Sequence, residues 1–185
     1  MKMMLTSMKK RGSGIPKETV AVFEGIIQKY EALGAPSLGP ECDREFNDAM
    51  ETRLTKEQRF WLYEQNGGCK GTGSDSERKT FAQEHGHKPL AERLNLLYGK
   101  NAVLHDDNTI TVSFSCTHGY YKKARETKNF TPPVDVQSYF ERCAGGRLYG
   151  MEKSLGIKLK IQSADVSPLY ENAASPVVFT FKIVS

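Results

Sequence analysis

The spacing of apolar residues changes once along this chain, near residue 100, and that change constrains the fold more than any other feature. Before it, Val20, Phe23, Ile26, Ile27, Tyr30 and Leu33 recur every three or four positions, which places them on one stripe of a 3.6-residue helix. After it the period falls to two. Thr109 to Phe114 alternates, as do Ile157, Leu159 and Ile161, and then Val177, Phe179, Phe181 and Ile183, the pattern of strands with one buried face. A parallel sheet would need a repeated series of strand, crossover helix and strand, and no such series runs along the chain. The fold class that follows is α+β, a helical N-terminal layer packed on a twisted antiparallel sheet formed by the C-terminal half. With 185 residues, 38% of them hydrophobic, such a chain can bury about two-thirds of its unfolded surface.

Punctuating residues divide the pattern. Residues 1–14 end in Arg11-Gly-Ser-Gly14 and read as a flexible N-terminal segment. Residues 15–185 read as a single α+β domain, helical over 15–99 and strand-rich with helices over 100–185. Pro16 suits a first helical turn and Gly34 a stop. Residues 35–40 form a loop, and a short helix follows over Cys42 to Met50. Thr55 with Gln58, and Ser74 with Glu77, are capping boxes that open two further helices. Leu90, Leu94, Leu97 and Tyr98 predict another, capped by Gly99. Asp106-Asp107-Asn108 is a turn. Asp135 caps a short helix over Val134 to Arg142, and Leu148, Met151 and Leu155 mark a separate one that ends at Gly156. Asp165 to Ser175 is a polar turn. The expected core includes Trp61, Leu94, Leu97, Leu148, Met151, Leu155, Phe179 and Phe181.

Charge excludes some functions. The formal net charge is +4, part of it from Lys2, Lys9, Lys10 and Arg11. No basic stripe or reading motif marks a nucleic-acid binder, and Lys122, Lys123 and Arg125 read as a solvated loop or strand end. No apolar run approaches the length of a membrane span, and no apolar core follows Met1 to Met8 as a signal peptide requires. The expected location is cytoplasmic, where thiols stay reduced unless they hold a metal.

Four cysteines, Cys42, Cys69, Cys116 and Cys143, are the candidate metal ligands. Each falls at a loop or an element end, and four thiolates are the donor set of a structural zinc site. The same set could hold an iron–sulfur cluster, with zinc favoured. Against this, the usual C-x₂₋₄-C pairing is absent, and four half-buried free thiols would simply pack. Thiol catalysis is the alternative. Cys69 lies just before the capped helix at Ser74, Cys143 just before the helix carrying Leu148, and His85, His87, His105 and His118 are candidate bases. The loop from Asn66 to Gly73 leads into a helix but lacks the Gly-Lys-Ser/Thr ending of a P-loop, so it reads as a connector presenting Cys69.

The run Cys143-Ala-Gly-Gly-Arg147, the helix after it, Leu155-Gly-Ile-Lys-Leu-Lys-Ile-Gln-Ser163 and Val177-Val-Phe-Thr-Phe-Lys-Ile183 resemble the end of the four-vinyl-reductase-like domains, which share a fold with a trafficking-particle subunit. Their bacterial relatives, the aminothiazoline-carboxylate hydrolase-like proteins, are the closer likeness. It covers roughly residues 100 to 184, and it departs at Ser175-Pro176, where relatives carry a cysteine or arginine. The resemblance implies a ligand pocket or cysteine cluster between helices and an antiparallel sheet, with Cys116 and Cys143 where the family places cysteine. Three readings follow. The first is a metal or a small-molecule ligand held by clustered cysteines. The second is a small-amide or heterocycle hydrolase with Cys69 or Cys116 as nucleophile and His118 as base. The third is a non-catalytic module forming a homodimer through its helices.

Overall fold

The structure is a computed structural model, and it describes residues 1–33, 40–66, 73–117, 119–133 and 136–184. The expected stop at Gly34, the loop at 35–39, most of the glycine connector with Cys69, and His118, Val134 and Asp135 lie outside the described residues. The chain divides into two compact units, Met1–Asn66 and Gly67–Ser185.

The first unit is helical. It contains α1 (Lys2–Met8), α2 (Lys17–Ala32), α3 (Pro40–Arg53) and α4 (Lys56–Asn66), with a 3₁₀ turn at Arg11–Ser13. Residues 1–14, expected to be loose, are thus largely helical, and Met8 is buried. The stripe of α2 buries Val20, Phe23, Ile26 and Ile27, and Phe23 meets Phe46 of α3 with ring centroids 4.9 Å apart. The Thr55 capping box forms as the sequence predicts. The Thr55 N–H donates to Gln58 Oε1 at 3.0 Å, and the Gln58 N–H donates to Thr55 Oγ1 at 3.2 Å.

The second unit holds α5 (Asp75–His85), α6 (Leu90–Tyr98), β1 (Ala102–Leu104), β2 (Thr109–Phe114), α7 (Gly119–Glu126), α8 (Val136–Leu155), β3 (Lys158–Asp165), α9 (Pro168–Glu171) and β4 (Val177–Val184). The four strands form one antiparallel sheet in the order β1-β2-β4-β3. This is the α+β architecture that the change of period predicts. Ile110, Val112 and Phe114 of β2, Phe179 and Phe181 of β4, and Leu159 and Ile161 of β3 point inward. The register of β3 shifts between Ile161 and Ser163. That irregularity turns Ala164, rather than Ser163, into the core, as a bulge does when it adds a residue to one strand. Lys158, Lys160 and Gln162 remain exposed on the other face.

Helix α8 packs along β3 and reaches β4. It is one 20-residue helix, not two short ones. Gly145 and Gly146, which look like a break in sequence, are buried in its middle. Glycine there costs about 0.5–1 kcal/mol relative to alanine, a penalty that packing of the long apolar face offsets. Two smaller differences concern the ends of strands. Gly119–Glu126 is a helix rather than the end of β2, so Lys122, Lys123 and Arg125 are the solvated face of α7. Within the expected polar turn at 165–175, α9 makes one turn of helix. Of the expected core, Trp61 and Leu97 are only half-buried, and the other six are buried.

Candidate functional site at the end of strand β2

Cys42 sits in the first turn of α3 with its side chain fully buried. Its thiol donates to Met1 Sδ at 3.6 Å. Burial, followed by the charges of Asp43 and Glu45, pushes this thiol above its ordinary range. A thiol kept protonated is neither a good nucleophile nor a ready metal ligand. Cys116 and Cys143 are half-buried, and neither they nor Cys42 form a disulfide. Cys143 lies inside α8, so it lacks the helix N-terminus that its sequence setting suggested for lowering its pKa. Cys116 follows β2, and its carbonyl accepts from Arg125 at 3.0 Å. The two have neighbours in common. A negative charge on either sulfur would raise the pKa of both Tyr121 and Tyr139.

The candidate bases divide. His105 Nε2 is paired with Thr111 Oγ1 at 2.9 Å, and His85 packs against the Phe81 ring at 4.7 Å. His87 is exposed. Among the described residues, no three His, Cys, Asp or Glu side chains converge to hold a metal ion. Asp107 has the turn role its sequence suggests, for its Oδ1 accepts from the Thr109 N–H at 3.1 Å and from the Thr109 hydroxyl at 2.6 Å.

Around the end of β2 the side chains are aromatic. Phe114 stacks on Phe179 with centroids 5.0 Å apart, and Tyr120, Tyr121, Tyr139 and Phe140 meet edge-on or tilted beside it. Tyr121 pins this corner. Its hydroxyl lies 3.0 Å from the Phe114 carbonyl and 2.9 Å from that of Ser175, and accepts from the Val177 N–H at 3.0 Å. Burial pushes this phenol far above its ordinary range, so it stays protonated and donates.

A cavity of about 220 Å³ opens beside this corner. Ala102, the first residue of β1, pairs with Val112, and β2 continues past it. Ser113 and Ser115 therefore line the cavity together with Asn101, while Leu97 and Pro176 supply apolar wall. Arg147 of α8 enters it between aromatic groups. Its guanidinium carbon lies 5.0 Å from the Phe114 ring centroid and 5.5 Å from that of Tyr98, within cation–π range. Burial pushes the Tyr98 phenol upward, and the charge and hydrogen bonding of Arg147 oppose that shift. The Nε of Arg147 is buried without a hydrogen-bond partner. Among the described residues, no Asp or Glu lines the cavity and no ion pair involves Arg147.

Arg147 is the functional candidate that the sequence reading passes over. Its signal is positional. With α8 continuous, residue 147 falls three positions after buried Ala144 and four before buried Met151, and is itself half-buried. A cation there stands out only when the helix is carried through Gly145-Gly146. No protein-family model, no curated protein and no solved structure matches the chain.

Proposed function

We propose that the unit from Gly67 to Ser185 binds a small molecule in the cavity at the end of β2. One observation carries this reading. Arg147 brings a cation to the wall of a cavity that, among the described residues, no Asp or Glu lines. A concave site with a few convergent polar groups and one cation suits a small ligand that brings the complementary group. The volume of about 220 Å³ favours a ligand the size of one ring with its substituents. The resemblance to four-vinyl-reductase-like domains, which implies a pocket between helices and an antiparallel sheet, supports the same reading. Backbone amide NMR of the full chain with a mixture of ring-sized compounds tests it. Shifts should gather at the end of α6, at Ser113 to Cys116, and around Arg147. Shifts scattered over the surface, or none, would refute it.

A second reading keeps the thiols. Cys116 and Cys143 act on the same two tyrosines from separate elements, which supports a shared thiolate site. Zinc would need further ligands, and Cys69 and His118 are candidates from sequence. Protein purified without chelator should then carry about one equivalent of zinc, bound by four ligands. Metal-free protein whose melting temperature ignores added zinc would exclude this reading.

A further inference from the structure

The Arg147 guanidinium lies within cation–π range of Phe114 and Tyr98, and the Tyr98 hydroxyl also accepts a hydrogen bond from it. An arginine recognises partners through its planar fork of N–H donors, which matches two oxygens on one atom. Among the described residues, the cavity lining holds one positive charge and no acidic residue. Ser113, Ser115 and Asn101 add neutral hydrogen-bonding groups, and Leu97 and Pro176 add apolar wall. Neutral donors and a single fork suit a singly charged head on a compact apolar body.

We propose that the ligand of this cavity is a small organic oxyanion, held by Arg147 through charge-assisted hydrogen bonds with its apolar part against Leu97 and Pro176. The proposal rests on the small-molecule reading above and adds the chemical class. A neutral molecule accepts a hydrogen bond from Arg147 without neutralising its charge, which is the weaker of the two interactions. Binding a cation would add repulsion.

Isosteric probes separate the two claims. The full chain is titrated calorimetrically with benzoate, benzamide and benzylammonium, which share a ring and differ in charge. Benzoate should bind at least about tenfold more tightly than benzamide, the factor that one charge-assisted hydrogen bond supplies, and benzylammonium should not bind. Arg147→Gln should weaken benzoate at least about tenfold more than it weakens benzamide. Phenyl phosphate binding more tightly than benzoate would uphold the oxyanion class and identify the head group as phosphate. Equal affinity for benzoate and benzamide in the wild type would overturn the oxyanion claim and leave the small-molecule reading standing. That comparison needs no variant, so it decides the matter even if Arg147→Gln fails to fold. Absence of binding by all four probes to folded protein overturns the oxyanion claim, and the NMR screen then decides the broader reading.

Discussion

Single residues in this protein owe their chemistry to where burial puts them. The three described cysteines make the point. Cys42 is fully buried and held as a thiol, whereas Cys116 and Cys143 keep some exposure. Alkylation of native protein near neutral pH, followed by mass spectrometry, should therefore modify Cys42 last and only with unfolding. Early loss of Cys42 would mean that α3 opens readily. Asp107 is a second case. The Thr109 hydroxyl, more than any other group, holds its carboxyl below the usual range, with the Thr109 N–H, Lys182 and His105 adding to the effect. A depressed folded pKa stabilises the folded chain fully above the unfolded value, near 3.8, and the benefit disappears as pH falls through the lower folded value. Asp107→Asn keeps an acceptor oxygen that cannot ionise. Wild type should exceed this variant in urea midpoint at pH 6, and the gap should close below about pH 4. A gap that does not change with pH would show that the Asp107 charge contributes nothing to the turn.

At the scale of elements, glycine decides two contacts in opposite directions. Gly119 opens α7 with φ of 56°, a left-handed conformation that costs other residues energy. A Cβ there would also collide with the Tyr139 hydroxyl. Gly119→Ala should destabilise by about 1–3 kcal/mol, and Tyr139→Phe in the same chain should recover part of the loss by removing the oxygen. A double variant no better than the single one would assign the whole cost to φ. Gly150 is the converse. A Cβ there would meet Arg78 Nε of α5 at 3.6 Å, an ordinary contact, inside a regular helix. Gly150→Ala should raise stability by about 0.5–1 kcal/mol, read as a shift in denaturant midpoint. Elements that depend on local chemistry were legible in the sequence for the same physical reason. The capping boxes at Thr55 and Ser74 and the alternation in β2, β3 and β4 are set by neighbours a few residues away. The continuity of α8 was not legible, because Cys143-Ala-Gly-Gly has low local helix preference and is held helical by long-range packing.

Across the whole molecule, the same contrast explains which part of the site could be read. Cysteines and histidines attract notice by type, but Cys42 turned out to be packed in the first unit and His105 paired with a threonine. The cavity depends on features with no local mark. These are a strand that outruns its neighbour, a tyrosine that ties Phe114 to Ser175 and Val177, and a half-buried arginine on α8. All the described residues that line the cavity, from Leu97 to Pro176, belong to the second unit. So do all four strands and the helix that covers them. A fragment from Gly67 to Ser185 has the size of an ordinary domain and carries a contiguous core of its own in Leu94, Ile110, Phe140, Leu155, Phe179 and Phe181. It should therefore melt cooperatively and bind benzoate as the full chain does. Leu155→Ala within it should cost about 2–5 kcal/mol, as loss of a fully buried leucine does. A folded fragment that no longer binds would show that the cavity needs residues 1–66, although none of the described ones lines it. An unfolded fragment would show that the core of the second unit is incomplete without the helices of the first.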